Sequence, residues 1–164
     1  MRGRNNRRFL HAANRLPQDS KRFCLMASGG FSITVGAESG LSPNYVLGLL
    51  NSRLLFWRLQ SISSVFRGGW ITCTKQYVQT LPIRRIILSD PSDKARHDKM
   101  VKLVEQMLGL HEHRIEGKDA AEQERLQRLI DSTDKQIDAL VYELYGLTED
   151  EIAVVEDAVH ARTA

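Results

Sequence analysis

Cysteine is scarce in this chain: Cys24 and Cys73 are the only two, far apart and neither part of a Cys-x-x-Cys pair. That argues against a disulfide framework or a thiolate zinc site and reads as two reduced, partly buried thiols. No long apolar run is present either. The greasiest stretch, residues 45–59, is interrupted by Asn51, Arg53 and Arg58, too short and too charged to cross a bilayer. The chain opens without an apolar signal segment, so a cytoplasmic protein with no membrane partner is expected.

Catalytic constellations are lacking too. His111 and His113 are two residues apart on an expected helix, so their rings point to different faces and cannot share a metal. Glu116-Gly117-Lys118 holds the Glu-x-Lys half of a nuclease-type site, but no Pro-Asp pair stands upstream and Gly117 reads as a turn. Ser, His and Asp are scattered without a nucleophile-elbow context. Ser28-Gly29-Gly30 is not followed by Lys-Ser/Thr, which argues against a nucleotide P-loop. No catalytic residue and no metal ligand is expected.

What is present is a charge split. The net charge of +3 over 164 residues conceals a basic front and an acidic back. Residues 1–22 carry seven Lys/Arg against one acid, residues 23–89 six against one, and residues 90–164 ten against eighteen. Such asymmetry suggests a polyanion partner for the front half. The length suits one domain, or one domain with an appendage, and a compact fold of this size buries about 70% of its unfolded surface.

Residues 1–22 are rich in Arg and Asn with little apolar pattern and read as a disordered basic arm, either touching phosphates or simply solvated. In Phe31-Ser32-Ile33-Thr34-Val35 the alternation favours a strand after the Gly29-Gly30 turn. Ser42 then offers an N-cap and Pro43 a first helical residue. Leu47, Leu50, Leu54 and Leu55 repeat at helical spacing, so one amphipathic helix is expected from Ser42 to near Ile62. Trp70-Ile71-Thr72-Cys73 reads as a second short strand. Thr74 can cap a helical turn holding Gln76, Tyr77 and Val78, which Pro82 closes, and Ser89-Asp90-Pro91-Ser92 is a linker.

The acidic half is helical. Met100, Val104, Met107 and His111 step by 4, 3, 4, and Leu126, Ile130, Thr133, Ile137, Leu140 and Leu144 step by 4, 3, 4, 3, 4. The latter is a heptad seam with Thr133 as its one polar member. A bend at Gly117 gives two antiparallel helices paired along their seams; one continuous helix pairing with another chain is the alternative. Gly146 ends the second helix, and Thr148 with Glu151 forms a capping box for a last short one through Val159. The expected fold class is α+β: a small partial sheet with helices over residues 23–89, followed by a helical hairpin over 93–159, mostly α by content.

The basic half carries the strongest functional signal. In Ser61-Ile62-Ser63-Ser64-Val65-Phe66-Arg67-Gly68-Gly69-Trp70 two glycines allow close backbone approach, flanked by an arginine and aromatics; Lys75-Gln76-Tyr77 follows. A surface turn also uses Gly-Gly. Arg53, Arg58, Arg67, Lys75, Arg84 and Arg85 lie among Trp57, Phe66, Trp70 and Tyr77, and such residues neutralise phosphates or read guanine by two hydrogen bonds. Six neutralised phosphates would give a slope of log K against log salt of about −5.

The order Leu41-Ser42-Pro43-Asn44-Tyr45-Val46-Leu47-Gly48-Leu49-Leu50-Asn51-Ser52, then Ser63 through Trp70, then Lys75-Gln76-Tyr77 and Leu81-Pro82-Ile83, resembles the C-terminal specificity region of TaqI-like DNA adenine methyltransferases. These include the fused restriction-modification enzymes called type IIG. The tail from Ile137 to Thr148 resembles the helical end of the same proteins, and a similar ending occurs in type I specificity subunits. The resemblance covers about residues 23–157. It implies a target recognition domain that contacts double-stranded DNA, with Arg67, Gly68, Gly69, Trp70, Lys75, Gln76 and Tyr77 as the DNA-binding residues. It also implies methyl transfer from S-adenosylmethionine to the exocyclic amine of adenine by a separate methyltransferase domain or subunit. This chain has no Pro-Pro-Tyr or Pro-Pro-Phe motif and no Gly-rich cofactor loop after a strand, so it holds no cofactor itself and reads as a C-terminal piece of a larger enzyme. The competing expectation is a non-catalytic helical bracing fragment that does not bind DNA independently.

Overall fold

The computed structural model describes residues 33–64, 71, 73–116 and 119–161. Among these residues a 3-10 turn, Ala37–Ser39, precedes six helices: α1 Pro43–Asn51, α2 Arg53–Ile62, α3 Lys75–Val78, α4 Pro91–Glu116, α5 Ala120–Tyr145 and α6 Glu149–Ala161. The described part is all-α, 75% helical, with no strand among its residues. This corrects the α+β expectation. Ile33, Thr34 and Val35 carry no regular structure, and Ile71 is an isolated bridge position. A strand needs a neighbour to receive its N–H and C=O groups, and the described residues offer only helices. The apolar residue of the first run therefore does something else: Val35 packs singly onto the helical core.

Ser42 starts α1 as its sequence suggests, its side chain accepting from the Asn44 N–H at 3.2 Å with Pro43 in the first turn. The single helix expected to run to Ile62 is instead broken at Ser52. Ser52 is extended (ψ 155°) and caps both pieces. Its buried hydroxyl donates to the Leu49 carbonyl at 2.7 Å and accepts from the Leu55 N–H at 3.4 Å. A serine hydroxyl competes well with the backbone for local hydrogen bonds, and the break turns the apolar faces of α1 and α2 toward different partners. α1 lies on α4, and α2 reaches α5 and α6.

The α1–α4 contact is close because of Gly48. A Cβ there would stand 2.5 Å from Met100 Sδ and 2.9 Å from Val104 Cγ2. α4 and α5 form a long antiparallel pair, with Leu126, Ile130, Thr133, Ile137, Leu140 and Leu144 all buried. Each buried Leu or Ile contributes roughly 1.5–3 kcal/mol. Thr133 is satisfied at the seam: its hydroxyl donates to the Leu129 carbonyl at 2.9 Å and accepts from Gln106 Nε2 at 3.2 Å, tying the helices together. Gly146 ends α5 in the left-handed region (φ 66°), where glycine carries no Cβ penalty.

A charged network locks α2 onto α5 and α6. The Arg53 N–H donates to Asp138 Oδ1 at 2.8 Å, the guanidinium Nε lies 3.1 Å from Asp138 Oδ2, and Nη1 bonds Glu156. The Tyr142 hydroxyl donates to the same Glu156 carboxylate at 2.7 Å. Asp138 is 3% exposed, and a carboxylate so enclosed needs this pairing.

Candidate nucleic-acid interface

Of the seven residues to which the resemblance assigns DNA contact, Arg67, Gly68, Gly69 and Trp70 lie outside the described residues. The other three form one turn of helix, α3. Lys75 and Gln76 are exposed, while Tyr77 is half-buried. Thr74 occupies the N-cap position without a side-chain cap bond. The Tyr77 hydroxyl is 2.8 Å from Ser64 Oγ. That contact joins Ser64, two residues beyond the end of α2, to α3.

The six basic candidates do not behave alike. Arg53 is taken up by Asp138 and Glu156 and works inside the fold, which corrects its expected place among the phosphate ligands. Arg58 is exposed midway along α2 and approaches Ser61 Oγ at 3.5 Å. Lys75, Arg84 and Arg85 are exposed, and none has a carboxylate partner among the described residues. In the acidic half, Arg96 is held by Glu143 at 2.8 Å and Asp93 at 3.4 Å, and Lys94 by Asp98 at 2.7 Å. Basic side chains without a carboxylate partner among the described residues thus include Lys75, Arg84 and Arg85 around α3 and the segment after it, and also the exposed Lys99, Lys102, Arg125, Arg128 and Lys135 of the acidic half.

Two tyrosines, Tyr45 on α1 and Tyr145 at the end of α5, bear on that segment. The Tyr45 hydroxyl donates to the Arg84 carbonyl at 3.1 Å. The Tyr145 hydroxyl donates to the Pro82 carbonyl and accepts from the Arg84 N–H at 3.1 Å. Burial pushes both phenols above their ordinary range; the neighbouring Tyr145 also raises Tyr45, while Arg84 pulls each down. They stay protonated and able to donate. The signal available in the sequence is that a tyrosine on a buried helical stripe must find a partner for its hydroxyl; the sequence does not say which.

His97, buried at the N-terminal end of α4, accepts the Ser42 N–H on Nε2 at 3.0 Å and faces Asp98 with Nδ1 at 2.9 Å. Because Nε2 is an acceptor, the ring is the neutral tautomer with its proton on Nδ1, which fits a structural role. Burial raises the Cys73 thiol, which disfavours the reactive thiolate. No group of three or more His, Cys, Asp or Glu among the described residues could hold a metal, and no described helix is long and apolar enough to cross a membrane. Comparison with family models, with curated proteins and with solved structures finds no match to this chain.

Proposed function

We propose that this chain is the DNA-recognition part of an adenine-specific DNA methyltransferase of a restriction-modification system, acting in the cytoplasm. In this reading Arg67, Gly68, Gly69, Trp70, Lys75, Gln76 and Tyr77 meet double-stranded DNA on an all-helical platform. A methyltransferase domain or subunit holds S-adenosylmethionine and performs the transfer. The ordered motifs support the reading, and so does the charge of the front half. The observation that carries it furthest is the Ser64–Tyr77 contact. It ties both flanks of the Arg-Gly-Gly segment together beside the exposed Lys75 and Gln76. Fixing the residues on either side of a recognition segment lowers the ordering cost of binding.

The heptad seam favours this reading over a purely bracing one. Its apolar positions are filled within the chain by α4 and α5, so the seam is not on offer to a second chain. The test is Arg67→Ala, read by fluorescence anisotropy on labelled duplexes. Uniform weakening across sequences marks a phosphate contact, and relaxed sequence choice marks a base contact. Unchanged affinity with unchanged specificity removes Arg67 from the interface.

A further inference from the structure

Residues 81–87 form a strap that the helical body holds through both its apolar side chains and its backbone. Leu81 is buried, and Ile83 and Ile86 pack against the core. The Pro82 carbonyl and the Arg84 N–H both bond the Tyr145 hydroxyl, and the Arg84 carbonyl accepts from Tyr45. The Ile87 N–H donates to Asp93 Oδ2 at 3.0 Å, and Asp93 is itself buried and approached by Arg96. Both backbone polar groups of Arg84 are thus bound by tyrosine hydroxyls from two different helices. Pro82, Arg84, Arg85 and Ile87 are the exposed residues of the strap, and its two arginines have no carboxylate partner among the described residues.

A basic segment that served only solubility would not need its main chain fixed at four points, two of them on Arg84 itself. Fixing the backbone beneath a guanidinium reduces the ordering cost when the guanidinium binds. Paired guanidinium groups suit phosphate oxygens, which they meet with planar donor forks. Arg84 lies seven residues beyond Tyr77, which caps their separation at about 25 Å even for a fully extended chain. A duplex touched by α3 is therefore within reach of the strap.

We propose that Arg84 and Arg85 are a sequence-independent phosphate anchor for DNA and that Tyr45 and Tyr145 are its positioning residues. The inference rests on the DNA-binding reading above and divides the labour within it. The strap sets where the backbone lies, and the Arg67-to-Tyr77 region is left to read sequence.

The test uses the full chain and a labelled duplex, with anisotropy measured across a salt series. Arg84→Ala with Arg85→Ala makes the slope of log K against log salt shallower by about 1.8 and leaves the ranking of duplex sequences unchanged. The Arg84→Lys, Arg85→Lys variant keeps the slope, because the charge is retained. Tyr145→Phe keeps both arginines but frees the strap, and weakens binding by about two- to tenfold, as loss of a hydrogen bond would. That loss disappears in the double-alanine background, whereas a merely structural effect persists there unchanged. If the unmutated chain shows no salt-sensitive binding, the DNA reading and the anchor fail together. If it binds but the double-alanine slope is unaltered, the anchor alone fails. Additive losses from Tyr145→Phe overturn the positioning role.

Discussion

Replacing Asp138 by alanine should be among the most damaging single changes in the described fold. The carboxylate accepts the N–H of Arg53, the first residue of α2, at 2.8 Å and faces the guanidinium at 3.1 Å. Removing it leaves a part-buried N–H without its acceptor and a guanidinium whose remaining acid, Glu156, is more exposed than Asp138 was. An unsatisfied buried donor costs about 1–3 kcal/mol, and removing one partner of a buried pair about 3–5 kcal/mol. The two overlap, so about 3 kcal/mol is expected. For a chain of this size that lowers the melting temperature by about 6–12 °C. The assay is thermal and urea unfolding of Asp138→Ala, Arg53→Met and the double variant. Since Arg53→Met removes the cation that Asp138→Ala would strand, the double variant should lose less than the sum of the singles, with coupling above about 1 kcal/mol. A shift of less than about 1 °C for Asp138→Ala, or strict additivity, would refute the claim that this network docks α2 onto α5 and α6.

Two further perturbations test other joints. Gly48→Ala should destabilise the chain by about 1–3 kcal/mol through overpacking, because the new Cβ would stand 2.5 Å from the sulfur of the fully buried Met100; urea titration measures it, and a neutral result would mean that α1 and α4 can separate without loss. The second concerns pH. The Glu151 carboxyl is held below the usual carboxylate range, chiefly by the Thr148 N–H at 2.9 Å and also by the Thr148 hydroxyl. A depressed folded-state value means that this contribution is present above the ordinary glutamate value and is lost as pH falls through the depressed one. Glu151→Gln should therefore flatten part of the loss of stability on acidification, seen as a smaller difference between urea midpoints at neutral and acid pH; an unchanged difference would rule the capping box out as a titrating element.

The parts of the fold legible in sequence are those specified locally. Ser42 with Pro43, the seam from Leu126 to Leu144, Gly146 and the Thr148–Glu151 box each depend on residues within a few positions of one another, and each is found where its pattern places it. The break at Ser52 is hidden because the leucine spacing runs through it; the Ser52 hydroxyl caps both pieces locally, and the acceptor at Asp138, 85 positions away, takes the Arg53 N–H that opens α2. The expected sheet is absent among the described residues because alternation over five residues says nothing about whether a neighbouring strand exists. At the candidate interface, exposure of Lys75 and Gln76 follows from their polarity, but the conversion of Arg53 into an internal ligand does not. Nor do the tyrosine bonds to the strap, which join residues 39 and 61 positions apart. Local chemistry nominates the basic residues, and long-range pairing decides which of them remain available.

The central claim is that the basic front half reads DNA. Its most direct test is selection of duplexes from a randomised pool by the full chain, at two salt concentrations, followed by sequencing of the bound fraction. The account predicts binding that weakens steeply with salt and an enriched short motif containing adenine, lost or relaxed in Arg67→Ala. A bound fraction no different from the input pool, with no salt-sensitive binding at either concentration, would contradict it.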